Sequence, residues 1–79
     1  MKIEFDYSKL RGKIKEVYGT QSNFADAMSF SNTSLSAKLN NQTEFTQKEI
    51  NKACQLLEIS FEELNVYFFT PKVQLSERI

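Results

Sequence analysis

Apolar residues fall along this chain in short sets at helical spacing, each preceded by a small polar residue suited to capping. Tyr7, Leu10, Ile14, Val17 and Tyr18 form the first set and predict a helix over about residues 7–18. Asp6 is placed to cap it, and Gly19 to stop it in the left-handed conformation. Phe24, Ala25 and Met28 mark a second helix behind Thr20, and Leu35 and Leu39 a third behind Ser31, running to about Asn40. Thr46-Gln47-Lys48-Glu49 has the capping-box form and opens a fourth, with Ile50, Ala53, Cys54 and Leu57 inward. Ser60-Phe61-Glu62-Glu63 repeats that form and opens a short fifth helix carrying Phe61, Leu64 and Phe68 on its apolar side. At both ends the period changes to two, over Ile3, Phe5 and Tyr7 and over Phe69, Val73 and Leu75, with Pro71 favouring an edge. Neither terminal segment would be stable alone in water, so pairing between them is expected.

The fold class that follows is mainly α: a compact bundle of about five helices, with the N- and C-terminal segments available for a small β-element. At 79 residues the chain is read as one domain, 1–79, ending in a segment of about 66–75 left for a strand or a dimer contact. A core this small is marginal by itself, which makes oligomerisation a natural expectation.

Between the second and third helical sets stands only Ser29-Phe30-Ser31. That is too short for a loop that would lay two helices side by side, so the pair must cross steeply, as in a helix-turn-helix. The first helix of such a pair needs an apolar residue beside a small one, and Phe24-Ala25 supplies it. The turn needs left-handed geometry and then an apolar plug, the places of Ser29 and Phe30. Glycine is the usual residue at the first of these, and a serine there costs about 1 kcal/mol.

Composition narrows the chemistry. Ten Lys and Arg balance ten Asp and Glu, so the global charge gives no argument for nucleic acid. The distribution is uneven: residues 8–57 hold seven cations against four anions, and the ends compensate. One cysteine, Cys54, excludes an internal disulfide and is read as an inert thiol on the apolar face of the fourth helix. No signal-peptide pattern and no run of about 20 apolar residues occur, which predicts a cytoplasmic protein without a membrane span. With no histidine, no cluster of metal ligands and two glycines, no cofactor, metal site or catalytic constellation is expected. Lys9, Arg11, Lys13 and Lys15 alternate and read as ordinary solvated cations.

With Gln21, Ala25, Phe30, Leu35 and Leu39 at the required places, residues 20–41 resemble the helix-turn-helix of the lambda-type repressor and Cro family. The stretches FDYSKLRGKIKEVYGTQSNFADAM, SLSAKLN, FTQKEI and YFFTPKV extend the likeness to small Cro-like regulators of temperate phages and prophages of Gram-positive bacteria, over about residues 5–74. The resemblance implies a sequence-specific transcription regulator whose third helix enters the major groove of operator DNA. Thr33, Ser36, Ala37 and Asn40 then face outward with Asn32 at the margin, and side chains of these kinds can address base edges. Gln21, Lys38, Asn41, Gln42, Thr43, Gln47 and Lys48 are the neighbours expected to hold phosphates. The family's two-fold reading of operators further implies a homodimer on DNA, with Tyr67, Phe68, Phe69 and Val73 as contact residues. The alternative is a non-catalytic protein-interaction module on the same scaffold, which the zero net charge and the Tyr67-Phe68-Phe69 cluster favour.

Overall fold

The computed structural model of the protein describes residues 4–72. Five α-helices follow one another: α1 (Ser8–Tyr18), α2 (Gln21–Met28), α3 (Asn32–Leu39), α4 (Gln47–Leu57) and α5 (Leu64–Phe68), with a 3-10 turn at Phe61–Glu63 leading into α5. The expected caps set most of the boundaries. The side chains of Thr20, Ser31, Thr46 and Ser60 each accept a hydrogen bond from the backbone N–H three residues on. At Thr46 the box closes, because the Thr46 N–H also donates to Glu49 Oε1 at 2.9 Å. At Ser60 only the forward bond, from the Glu63 N–H, is formed.

Two boundaries differ from expectation. Tyr7 occupies the cap position of α1 and makes no side-chain cap bond; Asp6 instead accepts from the Ser8 N–H at 2.9 Å and the Ser8 hydroxyl at 2.6 Å. Among the described residues the terminal pairing is one antiparallel bridge between Phe5 and Pro71, flanked by Asp6 N–H to Thr70 O and Lys72 N–H to Glu4 O. Ile3, Val73 and Leu75, which the alternating pattern also assigned to strands, lie outside the described residues.

The core is built from one face of every helix. Leu10, Phe24, Ala25, Leu35, Ala53 and Leu57 are fully enclosed, and Ile14, Met28, Leu39 and Phe68 nearly so. Each large side chain removed from water in this way stabilises the fold by about 1.5–3 kcal/mol. Val17, placed by its spacing on the inner stripe of α1, is half exposed. Two core residues stand outside any helical period: Ile59, buried just past α4, and Phe45, in the loop before it. The Phe45 ring meets Tyr7 and Phe68 edge-on at 5.6 and 5.4 Å between centroids, joining the N-terminal segment to α5.

Candidate functional site

The bend between α2 and α3 takes the geometry its sequence requires. Ser29 adopts φ 64° and ψ 34°, the left-handed conformation, and its N–H returns to the Ala25 and Asp26 carbonyls. The chain then leaves through extended Ser31, which caps α3. Ala25 and Leu35 both have no exposed surface, and Phe30 packs against the edge of the core. α3 thereby lies on the rest of the domain through Leu35 and Leu39, and its opposite side meets solvent.

On that outer side Asn32 and Thr33 are exposed, and Ser36 and Ala37 are partly covered. Asn40 stands at the C-cap, exposed but engaged: its Oδ1 accepts from Arg11 Nη2 at 2.9 Å, and its Nδ2 donates to Ser36 Oγ at 3.3 Å. The same Arg11 nitrogen donates to the Leu39 carbonyl at 3.1 Å. Arg11 therefore fastens the end of α3 to α1, where a solvated cation was expected.

The residues assigned to phosphates separate into two groups. Lys38 turns inward. Its ammonium lies 3.2 Å from Glu49 Oε1, donates to the Glu44 carbonyl at 3.1 Å, and sits 5.4 and 5.9 Å from the ring centroids of Phe30 and Phe45. With its side chain only 13% exposed, this cation is held by the protein itself. Burial pushes the Glu49 carboxyl up, but the Thr46 N–H and Lys38 bonds outweigh it and hold the group below its ordinary range. Asn41, in left-handed geometry at φ 64°, pairs both ends of its amide with one residue: Oδ1 accepts the Phe5 N–H at 2.9 Å, and Nδ2 donates to the Phe5 carbonyl at 3.0 Å. Its side chain thus imitates a β-strand neighbour and ties the α3–α4 loop to the N-terminal segment.

Gln42, Thr43, Gln47 and Lys48 are exposed, and Gln21 is partly covered. Gln21, with Thr20, Arg11 and Lys15, lines a depression of about 370 Å³ between α1 and the start of α2. Lys48 projects from the first turn of α4 without an ion pair among the described residues.

The residues assigned to a dimer contact are likewise divided. Phe68 is 1% exposed and belongs to the core, so it has no surface to offer a second copy. Tyr67 is partly buried, Phe69 is 43% exposed, and Val73 lies outside the described residues. Phe61, expected inward, is instead 88% exposed. It stands at the rim of a groove of about 400 Å³ whose walls are Phe45, Ile50, Leu64 and Phe69, with Gln47 and Asn51 at the α4 edge. Nothing in the local periodicity distinguished this position; the exposure arises because the 3-10 turn carries Phe61 past the end of α4. Cys54 is partly buried, and burial pushes its thiol up, away from the reactive thiolate.

Comparison with known proteins adds the setting. Among curated proteins none matches this chain. A solved structure is similar: the solution structure of the modulator of repression (MOR) of the temperate bacteriophage TP901-1 from Lactococcus lactis. It shares 46% identity at a TM-score of 0.75, over 89% of this chain and 95% of that one. The phage regulatory setting implied by the sequence agrees with this likeness. The pattern of the family described as "Protein of unknown function (DUF739)" matches residues 3–71, and this chain belongs to that family.

Proposed function

We propose that this protein regulates repression in a temperate phage or prophage, and that it does so by contacting a repressor protein, without catalysis. The likeness to a modulator of repression at 46% identity carries this reading. The disposition of charge supports the protein partner over operator DNA. Duplex binding draws its affinity from cations set against phosphates. Here the net charge is zero, and Lys38, the cation of α3, is enclosed by Glu49, Phe30 and Phe45.

A second reading is favoured by one observation, the α2–turn–α3 unit with its left-handed Ser29 and the small polar outer face of α3. In that reading the unit is a helix-turn-helix of the lambda-type repressor and Cro kind. A homodimer places α3 in successive major grooves of an operator, Asn32, Thr33, Ser36 and Ala37 face base edges, and Lys48 faces a phosphate. In either reading the protein acts in the host cytoplasm; no helix among the described residues is long and apolar enough to cross a membrane.

Calorimetric titration of the purified protein into the repressor carried by the same phage or prophage, without DNA, tests the first reading. A saturable heat with defined stoichiometry is the expected result. No heat with the repressor, together with a salt-dependent gel shift of operator DNA by this protein alone, would transfer the case to the second.

A further inference from the structure

Among the described residues Phe61 is the most exposed of the large apolar side chains, and its own fold gives it no packing partner that hides it. In a 3-10 turn residues three apart eclipse one another. Phe61 and Leu64 therefore share a side, and both line the 400 Å³ groove against Ile50 of α4, with Phe45 and Phe69 completing the wall. The groove floor continues into the aromatic cluster, since Phe69 meets Phe5 edge-on at 5.7 Å and Phe45 meets Phe68. Glu62 and Glu63 follow Phe61 directly in the chain, and Glu58 stands three residues before it at the left-handed end of α4. All three carboxylates are exposed, and none forms an ion pair among the described residues. The α4 lysines, Lys48 and Lys52, lie off the face that Gln47, Ile50 and Asn51 present to the groove.

We propose that this groove is a docking site for a basic, amphipathic helical segment of a partner protein. One or two aliphatic side chains of that segment enter beside Phe61, and its Lys or Arg residues lie against Glu58, Glu62 and Glu63. The inference rests on the protein-contact reading and deepens it by naming the surface and the chemistry of what it takes. Charge complementarity selects the occupant. Phosphate is repelled by the three carboxylates beside Phe61, and a second copy of this chain meeting it through the same face would bring the same carboxylates against them. A basic segment neutralises these carboxylates while its apolar side chains remove Phe61 from water, the combination that gives interface cores their anchors.

The test uses the full chain, labelled with ¹⁵N, and two synthetic helical peptides that share the same leucine positions. One carries Lys and Arg beside the leucines, and the other carries Glu there. The basic peptide is expected to shift the amides of Gln47, Ile50, Asn51, Phe61, Leu64 and Phe69, and to bind at least about tenfold more tightly than the acidic one at low salt. That preference should shrink as salt rises. Phe61→Ala, at a position too exposed to disturb folding, is expected to weaken binding about tenfold, and Glu62→Gln with Glu63→Gln to erase most of the preference between peptides. Equal binding of both peptides, shifts confined to α3, or no loss in Phe61→Ala would overturn the proposal. So would a dimer of the free chain that Phe61→Ala dissolves, because the groove would then belong to a second copy. The same variants titrated with the repressor separate the two claims. Repressor binding unchanged by Phe61→Ala removes the groove and leaves the protein-contact reading standing; peptide binding at the groove without repressor binding does the reverse.

Discussion

Lys38 and Glu49 approach to 3.2 Å and bind the last turn of α3 to the first turn of α4. The contact joins three functions in one place: it engages the same Glu49 oxygen that closes the α4 capping box, neutralises a largely covered ammonium, and keeps that ammonium over the Phe30 and Phe45 rings. Glu49→Gln retains a side chain that can cap, but it leaves Lys38 charged without a counter-ion. A loss of about 1 kcal/mol is expected by chemical denaturation. Lys38→Met should cost less, because the replacement keeps the packing on both rings and Glu49 keeps its Thr46 bonds. A larger loss for Lys38→Met than for Glu49→Gln would mean that the cation–π contacts outweigh the ion pair.

The Glu49 carboxyl has a folded-state pKa below its ordinary value of 4.5. A depressed pKa stabilises the fold fully above the unfolded value and loses that stabilisation as pH falls through the folded one. Stability measured by thermal melts should therefore decline on acidification below about pH 4.5. In Glu49→Gln that decline should be shallower. Parallel pH profiles for the two proteins would show that Glu49 is not a source of the acid sensitivity.

Ala25 and Leu35 are both fully enclosed where α2 meets α3. Ala25→Phe should overpack this contact and destabilise the domain by about 1–3 kcal/mol, read as a lower urea midpoint. Ser29→Gly acts in the opposite direction at the same bend. Removing the side chain relieves left-handed strain, offset in part by the freer unfolded chain, and a net gain of about 0.5 kcal/mol is expected.

Asn41 bonds both the N–H and the carbonyl of Phe5, 36 residues away. Asn41→Gly keeps the tolerance for positive φ but loses both the acceptor and the donor. A cost of about 1–2 kcal/mol is expected, with faster hydrogen exchange at the Phe5 amide. Unchanged exchange at Phe5 would show that the Asn41 side chain does not protect the terminal segment.

These residues also mark how far the sequence could be read. Helix boundaries were legible because caps are local: Thr20, Ser31, Thr46 and Ser60 each bond a backbone group three positions on, and their chemistry stands in the sequence beside them. The left-handed bend at Ser29 was legible for the same reason. The inward turn of Lys38 was not, since its covering comes from Phe45 in the α3–α4 loop and from Glu49 in α4. Asn41 and Arg11 likewise find their partners across the fold, at Phe5 and at Leu39 and Asn40. Periodicity grouped Phe61 with Phe68, yet one stands in solvent and the other in the core, because the chain changes helix type between them. Phe45 and Ile59 escaped notice as single apolar residues in loops, where no period exists to mark them.

On operator DNA the two lysines near α3 should separate. If this protein binds DNA directly, Lys48→Ala should lower the salt slope by about 1, the loss of one phosphate contact, whereas Lys38→Ala should leave the slope unchanged. Equal slope changes for the two would mean that Lys38 leaves Glu49 to meet DNA.

The central claim, that this protein acts on a repressor and not on operator DNA, is tested most directly by fluorescence anisotropy of labelled operator DNA at several salt concentrations. The DNA is titrated with this protein alone, with the repressor alone, and with the repressor premixed with this protein. The account predicts no specific rise with this protein alone and an altered repressor isotherm when it is present. A specific, salt-dependent rise with this protein alone, beside an unaltered repressor isotherm in the mixture, would contradict it.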